Sequence, residues 1–329
     1  MLDWLRLLRA SGLATIAANL LAVTFIAFYA GGGLDPEWLA ARLWREGWLG
    51  FCVPVASCLL FCAGMLWNDL CDLERDRVLN PQRPLPSGRI GLVPAWVAGL
   101  MLAFAAPLVA TPIPYGLQLA GAVLTLALIY NLGAKQVPWL GSVVMALVRV
   151  AHAVFALLWL GPDYLRMAVT PWLDPVGMPL FIYPLVLGLY VFGLTLISEL
   201  ESRDGSRFTA MVGLTAMLAA IAIAMTGLVK APWLPVLLHA GGMRTIAAIA
   251  VMIACLGIAG LLCWSLVVPW LAAVRSARRQ LVGPVVVAGL GGMILLDALL
   301  AAAAHPLAPL AILPFYLIFK GMGRAIRMD

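Results

Sequence analysis

Long apolar runs recur along the whole chain and constrain its fold more than any other feature. They cover residues 12–30, 48–68, 92–111, 116–132, 140–160, 180–198, 209–229, 245–271 and 282–303, and a shorter run covers 306–320. A helix needs about 20 apolar residues to cross the hydrocarbon core of a bilayer. Since 64% of the 329 residues are hydrophobic and only 11% are charged, no soluble core could absorb them. We therefore expect an all-α membrane bundle of nine or ten transmembrane helices, forming a single domain over residues 1–329.

The basic residues indicate how this bundle is oriented. If the apolar runs cross alternately, the following residues all fall on one side: Arg6, Arg9, Arg75, Arg77, Arg83, Arg89, Lys135, Arg203, Arg207, Arg275, Arg278 and Arg279. Positive residues favour the cytoplasmic ends of transmembrane helices. We therefore expect an integral protein of a bacterial inner membrane with its N-terminus in the cytoplasm. Lys320, Arg324 and Arg327 reach that side only with ten crossings, so the charge rule favours ten.

The rest of the composition excludes several classes of function. The net charge of +6 is a topological signal and favours contact with anionic lipid, and no aromatic-and-basic interleaving of the RNA-binding kind accompanies it. The six cysteines lie mostly inside apolar runs and form no C-x-x-C pair. We therefore expect no nucleic-acid partner, no disulfide and no zinc site.

A polar segment, N-D-L-C-D-L-E-R-D-R-V-L-N-P-Q-R-P-L-P-S-G, follows the second apolar run directly at residues 68–88. If the helix continues, Asn68, Asp72 and Asp76 recur every four residues and share one stripe. Three oxygen-bearing side chains on one stripe form half of a site for Mg²⁺, which takes its other ligands from water and phosphate. The alternative is a solvated collar of acids and arginines outside a membrane helix.

The pattern N-D-x-x-D-x-x-x-D, followed by R-P-L-x-x-G, resembles the first aspartate-rich motif of the UbiA superfamily of intramembrane prenyltransferases. The resemblance implies two helical halves around a central cavity, with acidic loops on the cytoplasmic side. It also implies a polyprenyl diphosphate substrate, a small hydrophobic or aromatic acceptor and a Mg²⁺ cofactor. By this resemblance Asp72 and Asp76 are catalytic as well as metal-binding.

UbiA-like chains carry a second aspartate-rich motif after the sixth helix, and here the match is partial. The sixth run ends in T-L-I-S-E-L-E-S-R-D-G-S-R, where Ser202 and Ser206 stand at positions usually held by aspartates. Glu201 and Asp204 are three residues apart and are expected to help bind the metal. Because serine is a weaker ligand than carboxylate, a second cation is expected to be held less tightly. The alternative is an ordinary capped helix end.

Several basic and aromatic residues are expected to bind the diphosphate. Tyr130 and Lys135, in Y-N-L-G-A-K, resemble the tyrosine and lysine that superfamily members direct at this group, and both are expected to be catalytic. Tyrosine can donate a hydrogen bond, and lysine supplies a compact positive charge. Arg83, Arg149 and Arg207 complete the expected set. As an alternative, Lys135 only anchors its helix at the membrane surface.

Polar residues inside the apolar runs are costly and usually face a cavity. Asn19 in the first run and His152 in the fifth are candidates for an acceptor pocket, although a packed histidine is an equal alternative for His152. Arg149 lies three residues before His152 and needs a carboxylate or a phosphate as partner. Asp297 in the ninth run is expected to pair within the bundle.

Three functions remain open from the sequence. The first is transfer of a prenyl group to a small, aromatic acceptor with release of diphosphate. The second is a UbiA-type terpene cyclase that acts on a prenyl diphosphate without an acceptor. The third is a non-catalytic protein of membrane transport or lipid handling, which would release no diphosphate.

Overall fold

The computed structural model describes residues 1–30, 49–172, 177–202, 207–276 and 282–326. Within these ranges the chain consists of helices joined by turns. The helices are α1 (Leu2–Leu7), α2 (Leu13–Ala30), α3 (Leu49–Cys71), α4 (Leu73–Leu79), α5 (Leu92–Ala110), α6 (Gly116–Leu132), α7 (Leu140–Leu157), α8 (Pro162–Val169), α9 (Met178–Ser202), α10 (Arg207–Val229), α11 (Trp233–His239), α12 (Gly242–Ser276), α13 (Val282–Ala304) and α14 (Ala308–Ile326). Single 3₁₀ turns cover Ala10–Gly12 and Ala134–Gln136.

Each of the ten apolar runs forms a helix, which confirms the predicted all-α polytopic membrane bundle. Eight helices within the described ranges are long and apolar enough to cross a membrane. Helix α6 is apolar but only 17 residues long. Helix α14 has 19 residues and carries Lys320 and Arg324 near its end. The choice between nine and ten crossings stays a prediction.

The helices close into a bundle through a chain of neighbouring contacts. Helix α3 packs against α5 and α6, α6 against α7, α7 against α9, and α9 against α10. Helix α13 packs against α9, α10 and α2, and α2 packs against α3, which closes the bundle. Helix α13 is the most enclosed of the long helices, whereas α5 and α12 lie at the periphery. The central cavity implied by the resemblance stays a prediction.

The N-terminal helix α1 packs beneath the end of α3. Leu7 is fully buried and lies in a small cluster with Leu66 and Leu70 of α3 and with Leu85 and Ile90 after α4. This cluster holds the polar segment that joins α3 to α5, so α1 supports the region where the first acidic motif lies.

The crossing of α9 and α10 requires glycine on both helices. A Cβ atom on Gly193 of α9 would collide with the carbonyl oxygen of Gly213 of α10, and a Cβ on Gly213 would lie 2.8 Å from the carbonyl oxygen of Gly193. Small residues permit such close contact between membrane helices. The end of α9, which carries the second acidic motif, is positioned through this crossing.

We predict that Gly193→Ala destabilises the bundle by about 1–3 kcal/mol because the added methyl group overpacks the crossing. Gly257→Ala is the matched control, since nothing lies within 4 Å of a Cβ at that helical glycine. The measurement is the thermal midpoint of each purified variant in detergent. Equal midpoints for the two variants would contradict the close crossing.

Candidate active site

The first acidic motif lies where α3 ends and the short helix α4 begins. The sequence predicted one continuous helix, but Asp72 breaks it, with φ −91° and ψ 3° between α3 and α4. The four-residue spacing survives the break, because the amide of Asp72 donates to the carbonyl of Asn68 (3.0 Å) and that of Asp76 donates to the carbonyl of Asp72 (2.8 Å). Asn68 is partly buried one turn before Asp72.

Asp72 is buried and bound by two cations. The Nζ atom of Lys135 lies 2.7 Å from its Oδ1, and the Nη2 atom of Arg75 lies 3.1 Å from its Oδ2. Lys135 itself is only 11% exposed. This pairing gives Lys135 a role beyond that of a membrane-surface anchor.

Asp76 is even more enclosed, with 1% of its side chain exposed. The Nη1 atom of Arg83 donates to its Oδ2 at 2.6 Å, and the Nδ2 atom of Asn80 donates to its Oδ1 at 3.0 Å. The solvated pair in this segment is a different one, Glu74 with Arg77, which is largely exposed. The burial of Asp72 and Asp76 therefore disagrees with the solvated-collar alternative.

These side chains fit a Mg²⁺ ion that takes its remaining ligands from water and from the substrate. Within the described ranges, no three His, Cys, Asp or Glu side chains gather as a complete metal site. Mg²⁺ is usually held by one or two carboxylates together with waters and substrate phosphates. Asn68, Asp72 and Asp76 supply that kind of partial, oxygen-only set.

The second acidic motif meets the first at the same end of the bundle. Glu199 of α9 accepts a hydrogen bond from the Oγ atom of Ser142 (2.7 Å) and one from the backbone amide of Trp139 (3.4 Å). Of the predicted metal ligands, the side chain of Glu201 and the whole of Asp204 lie outside the described residues. Arg207 is exposed at the start of α10. Roles for these three residues stay predictions.

Trp139, which the sequence did not single out, holds an uncommon backbone conformation beside the second motif. Its φ of 66° places it in the left-handed region, where non-glycine residues are rare. Its ring stacks on Phe208 at 6.1 Å and meets Phe192 edge-on at 6.4 Å. These contacts hold the backbone amide of Trp139 toward Glu199.

Tyr130 and Lys135 lie between the two motifs. Tyr130 lies near the end of α6, and Lys135 lies on the 3₁₀ turn that follows. Gly141 lets α7 begin against this turn, since a Cβ there would lie 2.9 Å from the Cα of Lys135. The structure places Lys135 against Asp72, and the diphosphate-binding roles of Lys135 and Tyr130 stay predictions.

Two further ion pairs connect the N-terminal residues to the region of the first motif. The Nη2 atom of Arg9 lies 3.1 Å from Oδ1 of the buried Asp69, and Asp3 lies 3.4 Å from the Nε atom of Arg89. Arg9 has a φ of 47°, another left-handed conformation outside glycine. Sequence reasoning identified Arg9 only as a topological marker, because a contact between residues 60 apart leaves no local pattern in the sequence.

The remaining candidates lie deeper in the bundle. The Nδ2 atom of Asn19 donates to the hydroxyl of Tyr183 (2.5 Å), which donates to Oδ1 of Asp297 (2.8 Å). Asp297 therefore pairs within the bundle, as predicted. Arg149 and His152 lie on α7, which packs against α9, the helix of Tyr183.

The polytopic helical bundle and the buried acidic motif paired with Lys135 agree with the class of intramembrane prenyltransferases. The profile of the UbiA prenyltransferase family matches residues 20–274 of this chain. The chain belongs to the UbiA prenyltransferase family.

Three individual proteins resemble the chain in sequence or in fold. The chain is 32% identical over 121 residues to a digeranylgeranylglyceryl phosphate synthase of Sulfolobus acidocaldarius, a match that spans 36% of this chain and 43% of that enzyme. A solved structure from work on digeranylgeranylglyceryl phosphate synthase in membranes has a TM-score of 0.50 at 18% identity and covers 92% of this chain and 97% of that one. A UbiA homologue from Aeropyrum pernix K1 has a TM-score of 0.48 at 16% identity, with 88% and 96% covered.

We predict that Arg9→Gln weakens the apparent affinity for Mg²⁺ without abolishing activity, because Asp69 loses its partner beside Asn68 and the motif loses its anchor to α1. Diphosphate release from farnesyl diphosphate is measured over a Mg²⁺ titration, and the half-maximal Mg²⁺ concentration is expected to rise severalfold. Arg77→Gln, which breaks the exposed pair with Glu74, is the control and leaves the titration unchanged. If Arg9→Gln lowers only the thermal midpoint, the anchor is purely structural.

Proposed function

We propose that this protein transfers a prenyl group from a polyprenyl diphosphate to a small acceptor inside the membrane, with release of diphosphate. The observation that carries the proposal is the buried contact between Asp72 and Lys135, 2.7 Å long, at the point where both acidic motifs meet. A buried carboxylate beside a lysine, a tyrosine and a second acid suits recognition of a metal-bound diphosphate. A transport or lipid-handling protein has no need of this arrangement.

The proposed metal ligands are Asn68, Asp72 and Asp76, with Glu201 and Asp204 as ligands from the second motif. When bound, Mg²⁺ would act as a Lewis acid and template that stabilises the negative charge of the departing diphosphate. The altered second motif carries Ser202 and Ser206 where aspartates are usual, so we expect its share of the binding to be weaker.

The cations of the site hold the diphosphate. Lys135 and Arg83 neutralise Asp72 and Asp76 in the structure described, and both can turn to diphosphate oxygens when metal takes the carboxylates. Tyr130 donates a hydrogen bond to the same group, and Arg207 adds positive charge from the start of α10. Arg149 was also predicted to bind the diphosphate, but it lies deeper, so this proposal does not depend on it.

The proposed reaction begins when diphosphate leaves, and the site stabilises this step. The bond between the allylic carbon and its oxygen breaks, both electrons leave with the diphosphate, and an allylic cation remains. Positive charge fixed at the leaving oxygens stabilises this step, and the apolar helices keep water away from the cation. The acceptor supplies the electron pair of the new bond and then loses a proton to the diphosphate or a nearby carboxylate.

The acceptor is expected to be small and polar at one end. An electron-rich aromatic carbon suits the allylic cation, as the sequence analysis predicted. An alcohol oxygen suits it equally, and the name of the relative from Sulfolobus acidocaldarius specifies a glyceryl phosphate. We therefore propose a hydroxyl-bearing acceptor, aromatic or aliphatic. Asn19 and His152 are the proposed residues of its binding pocket. A terpene cyclase would need no acceptor.

The protein is an integral membrane protein, and we propose that its acidic motifs face the cytoplasm of a bacterial cell. The support is the set of arginines and lysines on that end of the bundle, beginning with Arg6 and Arg9 before α2 and continuing with Lys135 after α6. Water-soluble diphosphate would then leave on the side where Mg²⁺ is abundant.

We predict that Asp72→Asn lowers the rate of diphosphate release by about 100-fold or more, because one metal-binding and charge-stabilising group is lost. Release from farnesyl and geranylgeranyl diphosphate is measured with and without Mg²⁺. Glu74→Gln is the matched control, since Glu74 lies in the same segment with 81% of its side chain exposed. Unchanged release in Asp72→Asn would exclude the proposed site.

We also predict that release depends on the acceptor. With a panel of phenols and glycerol derivatives, release above background is expected only when an acceptor is present, and the product carries the prenyl group on that acceptor. Mass spectrometry of the lipid extract identifies the product. A cyclic hydrocarbon formed without acceptor would favour the cyclase instead.

A further inference from the structure

Glu199, near the end of α9, is the acidic residue of the second motif that the proposed metal ligands do not include. Both of its carboxylate oxygens accept hydrogen bonds from the start of α7. The Oγ atom of Ser142 donates to Oε1 at 2.7 Å, and the backbone amide of Trp139 donates to Oε2 at 3.4 Å. Ser142 is fully buried and Glu199 is partly buried. A carboxylate on one helix therefore holds the beginning of another.

The start of α7 needs an acceptor from elsewhere because its own side chains supply none. The first N–H groups of a helix lack partners within it, and a Ser, Thr, Asp or Asn at the N-cap usually accepts from one of them. Here the N-cap is Trp139, whose indole can only donate.

Glu199 takes the place of a residue that is missing from the sequence of α7 itself. In a capping box, a Glu or Gln at the third helical position accepts a hydrogen bond from the N-cap amide. The third position of α7 is Ser142, and Glu199 accepts from the N-cap amide of Trp139 instead. Negative charge is also favoured there by the positive end of the helix dipole. Glu199 is thus an N-terminal cap of α7 supplied by α9.

The segment just before α7 is a tight turn at residues 133–139, which we call the Lys135 turn. Its backbone is hydrogen-bonded into α7, because the amide of Val137 donates to the carbonyl of Ala134 (3.0 Å) and the amide of Gly141 donates to the carbonyl of Val137 (3.4 Å). The Nζ atom of Lys135 lies on Asp72 at one end of the turn. A displacement at the capped end would therefore move Lys135.

We propose that Glu199 is a positioning residue of the diphosphate site. Its carboxylate caps α7 and thereby fixes the Lys135 turn, which holds Lys135 beside Asp72, where the diphosphate is proposed to bind. In this role Glu199 touches neither the metal nor the substrate. The inference rests on the prenyl transfer proposed above, and it makes the second motif act on the cation that faces the first.

The competing role for Glu199 is that of a metal ligand, and glutamine separates the two. The amide oxygen of glutamine still accepts a hydrogen bond from Ser142, but an uncharged amide is a poor substitute for a carboxylate on Mg²⁺. We expect Glu199→Gln to bind prenyl diphosphate within about 3-fold of the wild type, with an unchanged half-maximal Mg²⁺ concentration. A Glu199→Gln variant as weak as Glu199→Ala would contradict the capping role.

The test measures the affinity of the full-length protein in nanodiscs for farnesyl S-thiolodiphosphate, a slowly reacting analogue, at saturating Mg²⁺. Glu199→Ala and Lys135→Met are each expected to weaken binding about 10-fold, as loss of one charged hydrogen bond does. If Glu199 acts through Lys135, the double variant binds no more weakly than Lys135→Met alone. Damage to the fold in general would instead add to the effect of Lys135→Met.

Ser265→Ala is the matched control for Ser142→Ala. Ser265 lies on the peripheral helix α12 and donates to the carbonyl of Leu262 in its own helix (2.9 Å). We expect Ser142→Ala to weaken binding severalfold in the wild type and not in Lys135→Met, whereas Ser265→Ala leaves binding unchanged. Should Glu199→Ala fail to fold, the Ser142→Ala cycle decides.

The same measurements separate this inference from the proposed function. If Lys135→Met weakens binding and Glu199→Ala does not, or if the two effects add in the double variant, this inference alone is wrong. If the wild type does not bind the analogue, or if Lys135→Met binds it as the wild type does, the proposed diphosphate site is wrong and the inference is wrong with it.

Discussion

The structure depends on keeping Asp72 and Asp76 buried at the end of a membrane bundle. A buried carboxylate is costly unless it is paired and hydrogen-bonded, and each of these receives two partners. Arg75 and Arg83 come from the same polar segment, whereas Lys135 comes from the turn between α6 and α7. That third contact joins separate helices, so the position of α7 and the position of the first motif are set together.

Two sets of contacts connect this buried site to the neighbouring helices. On one side α1 packs Leu7 beneath the end of α3 and pairs Arg9 with Asp69. On the other side Gly141 admits the start of α7 against the Lys135 turn, and Glu199 receives the donors of Ser142 and Trp139. Arg9 and Trp139, which take part in these contacts, both have a left-handed backbone conformation. Tertiary contacts must stabilise such a conformation, which is common near functional sites.

The bundle therefore holds two polar regions with different chemistry. The outer one, around Asp72 and Asp76, holds opposite charges that compensate each other. The inner one, around Tyr183 and Asp297, includes Oδ1 of Asn19 and Oδ2 of Asp297, which have no hydrogen-bond partner among the described residues.

The length and hydropathy of the apolar runs were sufficient to predict the membrane bundle, because only helices or closed barrels can cross a bilayer. The four-residue spacing was sufficient to predict that Asn68, Asp72 and Asp76 share one face. Residues four apart in a helix face the same way, and this spacing persists across the break at Asp72. Contacts between distant segments leave no such local pattern. Three contacts were decided only by the tertiary structure, because each depends on which helices pack together. They are the pairing of Arg9 with Asp69, the hydrogen bonds of Trp139 and Ser142 to Glu199, and the hydrogen bond of Tyr183 to Asp297.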